Sequence, residues 1–267
     1  MDYKLIAVDL DDSLLDKDLK ISETNKRALF AARNKGVQIT IATGRMLDSA
    51  MPYIRELNID IPVITYQGAF IKDTLSGNTL IKKSVSIENA RKVIDICSRE
   101  NLHIQVYTED SYFFEEDNCF SRLYRRMSGI QGEAVGDLKR FLNEEPIKLL
   151  IIDEPDNIAR YRIYFQRLLS DVLQVYISRP NYLEFTNIEA TKGNALAQLG
   201  RMLGVSRKEM IAIGDSYNDI SMLEYAGLGV AMGNAPDNVK SHAGFITGSN
   251  DEDGVAEAVE KFVLMEE

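Results

Sequence analysis

Residues 4–15 read KLIAVDLDDSLL. An apolar run from Leu5 to Val8 stops at Asp9, and Asp11 and Asp12 follow within three positions. A stretch that reads as a buried strand therefore ends in concentrated negative charge. The same rhythm continues outward: SETNKRALFAARNKG has helical spacing, VQITIAT reads as a strand, MLDSAMPYIRELN as a helix and IPVITYQG as a strand. Short β-branched runs alternating with helices are the signature of a parallel sheet covered by helices on both faces. Ser22 stands where an N-cap belongs and Gly36 where a C-terminal glycine belongs. From Ala69 to Lys83 two strands flank SGN, a hairpin signal.

The stretch 84–187 reads differently. A helix, SIENARKVIDICSREN, precedes strands HIQVYT and SYFFEE, a Tyr- and Arg-rich helical piece, the strand IKLLIID, a helix from Pro155 to about Ser170, and paired strands VLQVYIS and YLEFT. Neighbouring strands of this kind build an antiparallel α+β unit. The parallel rhythm then resumes with TKGNALAQLGRMLG, EMIAIGD, YNDISMLEYAG and GLGVAMG. The expected architecture is α/β: a doubly wound parallel-sheet core over 1–83 and 188–267, interrupted by an α+β domain over 84–187. GLGVAMG lacks the glycine spacing and the helix start of a dinucleotide fingerprint.

The chain has 267 residues, enough for a sizeable core, and a formal net charge of -10. That balance argues against nucleic acid and anionic membrane surfaces as partners, because phosphate-rich partners are bound by excess Lys and Arg. An anionic small substrate then needs a local pocket or a metal. Cys97 and Cys119 show no paired spacing, which fits reduced thiols and a cytoplasmic protein. The N-terminus lacks the features of a signal peptide, and no apolar run, Leu149 to Ile152 included, is long enough to span a bilayer.

In a doubly wound sheet, residues just beyond the carboxyl ends of strands collect in one crevice. The candidates there are Asp9 and Asp11, Thr43 after ITIAT, Asp215 after IAIGD, and Lys192 at a helix start. Crowded carboxylates repel and raise one another's pKa unless a hard cation sits among them, and oxygen ligands of this kind suit magnesium. Lys192 follows Thr191, a plausible N-cap, so its cation lies at the positive end of a helix. That conflict disappears if an anion binds there, or if the lysine snorkels to solvent. Thr43 and Gly44 read as the opening of a helix, either as a cap or as a hydroxyl and backbone N–H groups cradling a phosphoryl oxygen. Arg45 reads equally as a substrate contact and as the partner of a nearby acid.

At these residues the chain resembles the haloacid dehalogenase-like superfamily of phosphohydrolases. The match is to four motifs in order: DLDDS at 9 to 13, Thr43 in ATGR, Lys192 in ATKG, and GDSYND at 214 to 219. The long insertion resembles the large α/β cap of the Cof-type sugar-phosphatase branch, type IIB. The commoner pattern has Gly-Thr where this chain has Asp12 and Ser13; Asp tolerates left-handed backbone, and Ser keeps the hydroxyl. The resemblance implies a magnesium-dependent phosphatase of a small phosphate ester, with Asp9 as nucleophile through an aspartyl-phosphate and Asp11 as general acid and base. It implies magnesium at Asp9, the Asp11 carbonyl and Asp215, with Asp219 beside the metal or orienting Lys192. Phosphate oxygens would be held by the Leu10 backbone, Thr43, Gly44, Arg45, Lys192 and Asn218.

The enzymatic alternative is a phosphomutase or phosphotransferase, and the alternative of another class is a phospho-receiver signalling domain, which places its acceptor Asp after a middle strand. A calcium loop is disfavoured because Lys20 stands at its twelfth position. His103 and His242 have no ligand or nucleophile partner at a recognised spacing, and Cys97 lies on the apolar stripe of its helix with Val93 and Ile94. The cluster Arg122, Arg125 and Arg126 reads as a solvated helix face first and as a contact for a second phosphate second. Composition leaves monomer and homodimer equally open.

Overall fold

A computed structural model describes residues 2–109 and 111–265. In chain order, β1 (Leu5–Val8), α1 (Glu23–Asn34), β2 (Gln38–Ile41), α2 (Leu47–Glu56), β3 (Val63–Thr65), β4 (Phe70–Lys72) and β5 (Thr79–Lys82) form the first run. Ser22 caps α1 by accepting the Asn25 N–H, as expected, and Gly36 adopts φ 90° just past its end. Then come α3 (Ile87–Glu100), β6 (His103–Tyr107), β7 (Tyr112–Phe114), α4 (Cys119–Ser128), β8 (Glu133–Ala134), α5 (Leu138–Phe141), β9 (Lys148–Ile152), α6 (Pro155–Leu169), β10 (Leu173–Arg179) and β11 (Tyr182–Asn187). The last run is α7 (Lys192–Leu203), β12 (Met210–Gly214), α8 (Ile220–Tyr225), β13 (Leu228–Ala231), α9 (Asp237–Lys240), β14 (Phe245–Ile246) and α10 (Gly254–Val259).

The chain divides into two compact units, 1–81 with 191–267, and 82–190. The first holds a parallel sheet in the order β14-β13-β12-β1-β2. Its central strands β1 and β12 are apolar along their whole length and buried at every position, because helices cover both faces of such a sheet. From β1 the chain winds one way to β2; the neighbour on the other side is β12, from which it winds away to β13. Val8 lies opposite Ile213, so β1 and β12 end side by side. This is a topological switch point, where a crevice opens outside the carboxyl ends of the strands.

The second unit holds a six-stranded sheet in the order β10-β11-β9-β6-β7-β8, antiparallel except for the β7–β8 pair. Alternation sorts its strands onto two faces. Ile104, Val106, Leu149, Ile151, Leu183 and Phe185 pack with Val93, Ile94 and Cys97 of α3 and with Ile158 and Phe165 of α6. Cys97 is a core residue, as its stripe implied. The opposite face carries His103, Gln105, Tyr107, Lys148, Glu184 and Thr186, all buried despite their polarity. No described helix is long and apolar enough to cross a membrane.

His103 has a consequence for stability. Its Nε2 lies 3.1 Å from Gln105 Nε2 and its Nδ1 3.1 Å from Asn118 Nδ2, while Phe114 and Phe120 flank the ring. Among the described residues no carboxylate hydrogen-bonds to it, so a second proton would be held without an acceptor; burial lowers its pKa to about 4, against the pull of Asp117. An unfolded histidine takes its proton near pH 6.5. Between pH 6.5 and about 4 the unfolded chain therefore binds the extra proton, and stability falls as pH falls through that window. The loss amounts to about 3 kcal/mol by pH 4. Denaturation followed by tyrosine fluorescence at pH 7 and pH 4, on the natural chain and on His103→Gln, checks this. Equal pH dependence in both would refute the assignment.

Candidate active site

Asp9 follows β1 directly, and its backbone N–H donates to the Ile213 carbonyl at 3.0 Å, which seats it beside the end of β12. Asp215 follows β12, and Asp219 begins the next short helix. Oxygens of Asp9, Asp215 and Asp219, all buried, lie within 4.8 Å of one another. Lys192 is the first residue of α7, whose N-cap is Thr191, accepting the Asn194 N–H at 3.1 Å. It is fully buried, so it does not snorkel: Nζ donates to Asp9 Oδ1 at 2.6 Å and to Asp219 Oδ1 at 2.5 Å. The other oxygen of Asp219 accepts the backbone N–H groups of Asp215 and Ser216 at 3.0 and 2.9 Å. Asp219 is thus the strut that holds both Lys192 and the turn carrying Asp215, and its Lys192-bound oxygen keeps an acceptor site for a metal.

Electrostatics make this arrangement incomplete by itself. Burial holds the Asp9 carboxyl well above the usual carboxylate range, and Asp219, Asp215 and Asp11 add to this against the pull of Lys192. Burial and Asp219 push Asp215 up to about 7, against the hydrogen bond from Ser13 Oγ at 2.8 Å and the charge of Lys192. Lys192 loses its water, which favours the neutral amine, yet Asp219 and Asp9 outweigh that and hold it above the usual lysine range. Three carboxylates facing one ammonium leave excess negative charge in a dry place, and hard oxygen donors of this kind fit a divalent cation such as magnesium.

Asp11 lies outside that group. Arg45 grips it with both ends of the guanidinium, Nε to Oδ2 at 2.8 Å and Nη2 to Oδ1 at 2.6 Å, and lies over the Tyr53 ring at 5.2 Å. Of the two readings of Arg45, the structure contains the ion pair. Asp12 takes φ 58°, the left-handed conformation expected of it, and its carbonyl accepts from Asn234 Nδ2 at 2.7 Å.

Thr43 and Gly44 do not open a helix, contrary to the expectation; α2 begins at Leu47. The Thr43 N–H is spent on the Ile64 carbonyl and its carbonyl on the Gln67 N–H, so the segment continues the strand before bending. Thr43 Oγ1 accepts the Arg45 N–H at 3.1 Å. Leu10, between the two acids, has a fully buried side chain that anchors the loop. Asn218 donates from Nδ2 to Gln67 Oε1 at 2.7 Å.

Gln67 is the site residue that motif reading misses. It is buried and left-handed at φ 61°, directly after Tyr66 at φ 50°. Such conformations cost about 1–3 kcal/mol each outside glycine. Nothing in TYQG announces this, because Tyr-Gln is no turn dipeptide; only Gly68, at φ 95°, marks the bend.

A fold with its acids at a switch point, an inserted second unit and this four-part motif set defines a phosphoryl-transfer hydrolase of the α/β class. The family model for haloacid dehalogenase-like hydrolases matches residues 6–259, and the chain belongs to that family. Among curated relatives, 5-amino-6-(5-phospho-D-ribitylamino)uracil phosphatase YcsE of Bacillus subtilis (strain 168) is 31% identical, over 99% of this chain and 97% of its own. Among solved structures, a haloacid dehalogenase-like hydrolase from Bacteroides thetaiotaomicron superposes with TM-score 0.87 at 30% identity, covering 97% of this chain and 99% of that one. The HAD subclass IIB sugar phosphatase BT4131 shares the fold at TM-score 0.85 and 24% identity, over 98% and 100% of the two chains.

Proposed function

We propose that this phosphatase is magnesium-dependent and hydrolyses a small phosphorylated metabolite, a sugar or polyol phosphate, through an aspartyl-phosphate on Asp9. The observation that carries this is the buried group of Asp9, Asp215 and Asp219 around the Lys192 ammonium at the carboxyl ends of β1 and β12. The family membership and the phosphorylated ribitylamino compound in the name of the relative YcsE support the substrate class. Residues 1–81 and 191–267 serve as the catalytic core and 82–190 as the cap that selects the substrate.

In this reading Asp9 attacks phosphorus in line, a P–O bond to Asp9 forms, and the P–O bond to the leaving alkoxide breaks. Asp11 gives that alkoxide its proton, then takes one from the water that attacks phosphorus as the bond to Asp9 breaks, releasing inorganic phosphate. To carry a proton, Asp11 must first surrender a bond to Arg45, so the pair seen here has to open during turnover. Lys192 favours the ionised form of Asp9 and aims it, while Thr43, Gly44, Asn218 and the Leu10 backbone hold phosphoryl oxygens. Magnesium, held by Asp9, Asp215 and the Asp11 carbonyl, would neutralise charge on the phosphoryl group.

A phosphate-release screen over sugar phosphates, nucleotides, pyridoxal phosphate and an aryl phosphate tests this. Turnover is expected only with magnesium, and Asp9→Asn is expected to lose it by at least about 10³-fold. Undiminished release by that variant removes Asp9 as the nucleophile, and release that survives chelation removes the metal.

A further inference from the structure

The turn Tyr66–Gln67–Gly68 at the end of β3 is bent in a way its residues do not favour. Left-handed backbone is ordinary for glycine and tolerable for asparagine and aspartate, but Tyr66 and Gln67 adopt it consecutively, at φ 50° and 61°. Such strain persists only where the surroundings over-determine it, so the contacts obtained in exchange are informative.

The Tyr66 and Gln67 backbone N–H groups and the Gln67 side chain are spent on the phosphate motifs. The Gln67 N–H donates to the Thr43 carbonyl at 3.1 Å, and the Tyr66 N–H to the Arg45 carbonyl at 3.1 Å. The Gln67 side chain lies against Gly44 so closely that a Cβ there would stand 2.2 Å from Nε2; only glycine admits it. Its Oε1 accepts from Asn218 Nδ2 at 2.7 Å. Gly68 backs onto the residue before Lys192, with a Cβ position 2.3 Å from the Thr191 carbonyl oxygen. Asn218 Oδ1 is buried and has no hydrogen-bond partner among the described residues, so the Gln67 contact is what orients this amide.

We propose that Gln67 is a positioning residue of the phosphate pocket, holding the Asn218 amide against the Thr43–Gly44 turn so that N–H donors from both segments converge on one tetrahedral oxyanion. The assignment rests on the phosphatase reading above and deepens it. It explains why a glutamine occupies a backbone position that suits glycine or asparagine better: neither of those reaches Asn218.

The discriminating variant is Gln67→Asn, which keeps an amide and suits left-handed backbone but is one methylene too short to reach Asn218. Its melting temperature is expected to equal or exceed that of the natural chain. Its affinity for inorganic phosphate, measured by calorimetry with magnesium present, is expected to fall about 10- to 100-fold, the scale of a misplaced binding group. Because Gln67 acts through Asn218, the double variant Gln67→Asn/Asn218→Ala is expected to bind phosphate no more weakly than Asn218→Ala alone. Unchanged phosphate affinity in Gln67→Asn overturns the proposal. So does a double variant whose loss is the product of the two single losses, which would mark Gln67 as a general packing residue. Full turnover by Asp9→Asn would sink the aspartyl-phosphate mechanism instead, and the phosphate-affinity comparison would still decide Gln67.

Discussion

Lys192→Met is expected to lower turnover about 10²–10³-fold, the scale seen when one charge-stabilising group is removed from an active site. Methionine nearly fills the volume, so the effect isolates the charge. Nζ sits between Asp9 at 2.6 Å and Asp219 at 2.5 Å with no solvent access, and it is the only ammonium contacting either carboxylate among the described residues. Without it, Asp9 is pushed still further toward the protonated form, which is no nucleophile, and Asp219 retains only its two backbone donors. Leaving a buried charge uncompensated also costs about 3–5 kcal/mol of stability. A divalent cation would offset part of that cost, so magnesium should raise the melting temperature of Lys192→Met more than that of the natural chain. Measurement of kcat and of melting with and without magnesium checks both halves. Turnover within a few-fold of the natural rate would mean that Lys192 serves only to fill the interior.

How much of this site the sequence carries depends on the kind of signal. Asp9, Asp215, Thr191 and Lys192 are legible because each stands at a strand or helix terminus, and termini are marked by abrupt changes from apolar runs to polar residues. The parallel core is legible for the same reason: β1 and β12 are apolar without alternation. Gln67 is not legible, because its importance lies in a backbone conformation that nothing local favours and in contacts with Gly44 and Asn218 that only the tertiary fold creates. The Arg45–Asp11 pair joins residues 34 apart, and a sequence cannot say which of several acids an arginine meets. Helix α2 begins after Arg45, not at Thr43, because the sheet claims the Thr43 N–H and carbonyl first. In the second unit, IKLLIID and YLEFT announce strands, but the strands they form, β9 and β11, each hold one buried charged residue whose partner lies on another strand.

That partnership makes the other large prediction. Lys148 on β9 stands opposite Thr186, and Glu184 on β11 opposite Leu150, so Lys148 and Glu184 are diagonal neighbours on one face of the sheet. Nζ donates to Glu184 Oε2 at 3.0 Å and lies 4.7 Å from the centre of the Tyr107 ring, while Glu184 also accepts from Tyr176 Oη at 3.2 Å and Ser178 Oγ at 2.6 Å. Burial alone would drive the lysine to its neutral form; Glu184 and Tyr124 overcome this and hold it above the usual range. Such a pair need not add net stability over an apolar isostere, but breaking it leaves one charge dry and unpaired. Lys148→Met is therefore expected to destabilise the protein by about 3–5 kcal/mol, and Glu184→Gln by a comparable amount. The double variant, which removes both charges but keeps an acceptor for Ser178 and Tyr176, is expected to return to within about 1–2 kcal/mol of the natural chain. Urea denaturation followed by tyrosine fluorescence supplies the cycle. Additive losses in the double variant would show that the two charges are solvated independently. A slip of β9 by one residue would carry Lys148 to the apolar face beside Val106, Leu183 and Phe185 of the neighbouring strands, so the pair also fixes the register of the sheet.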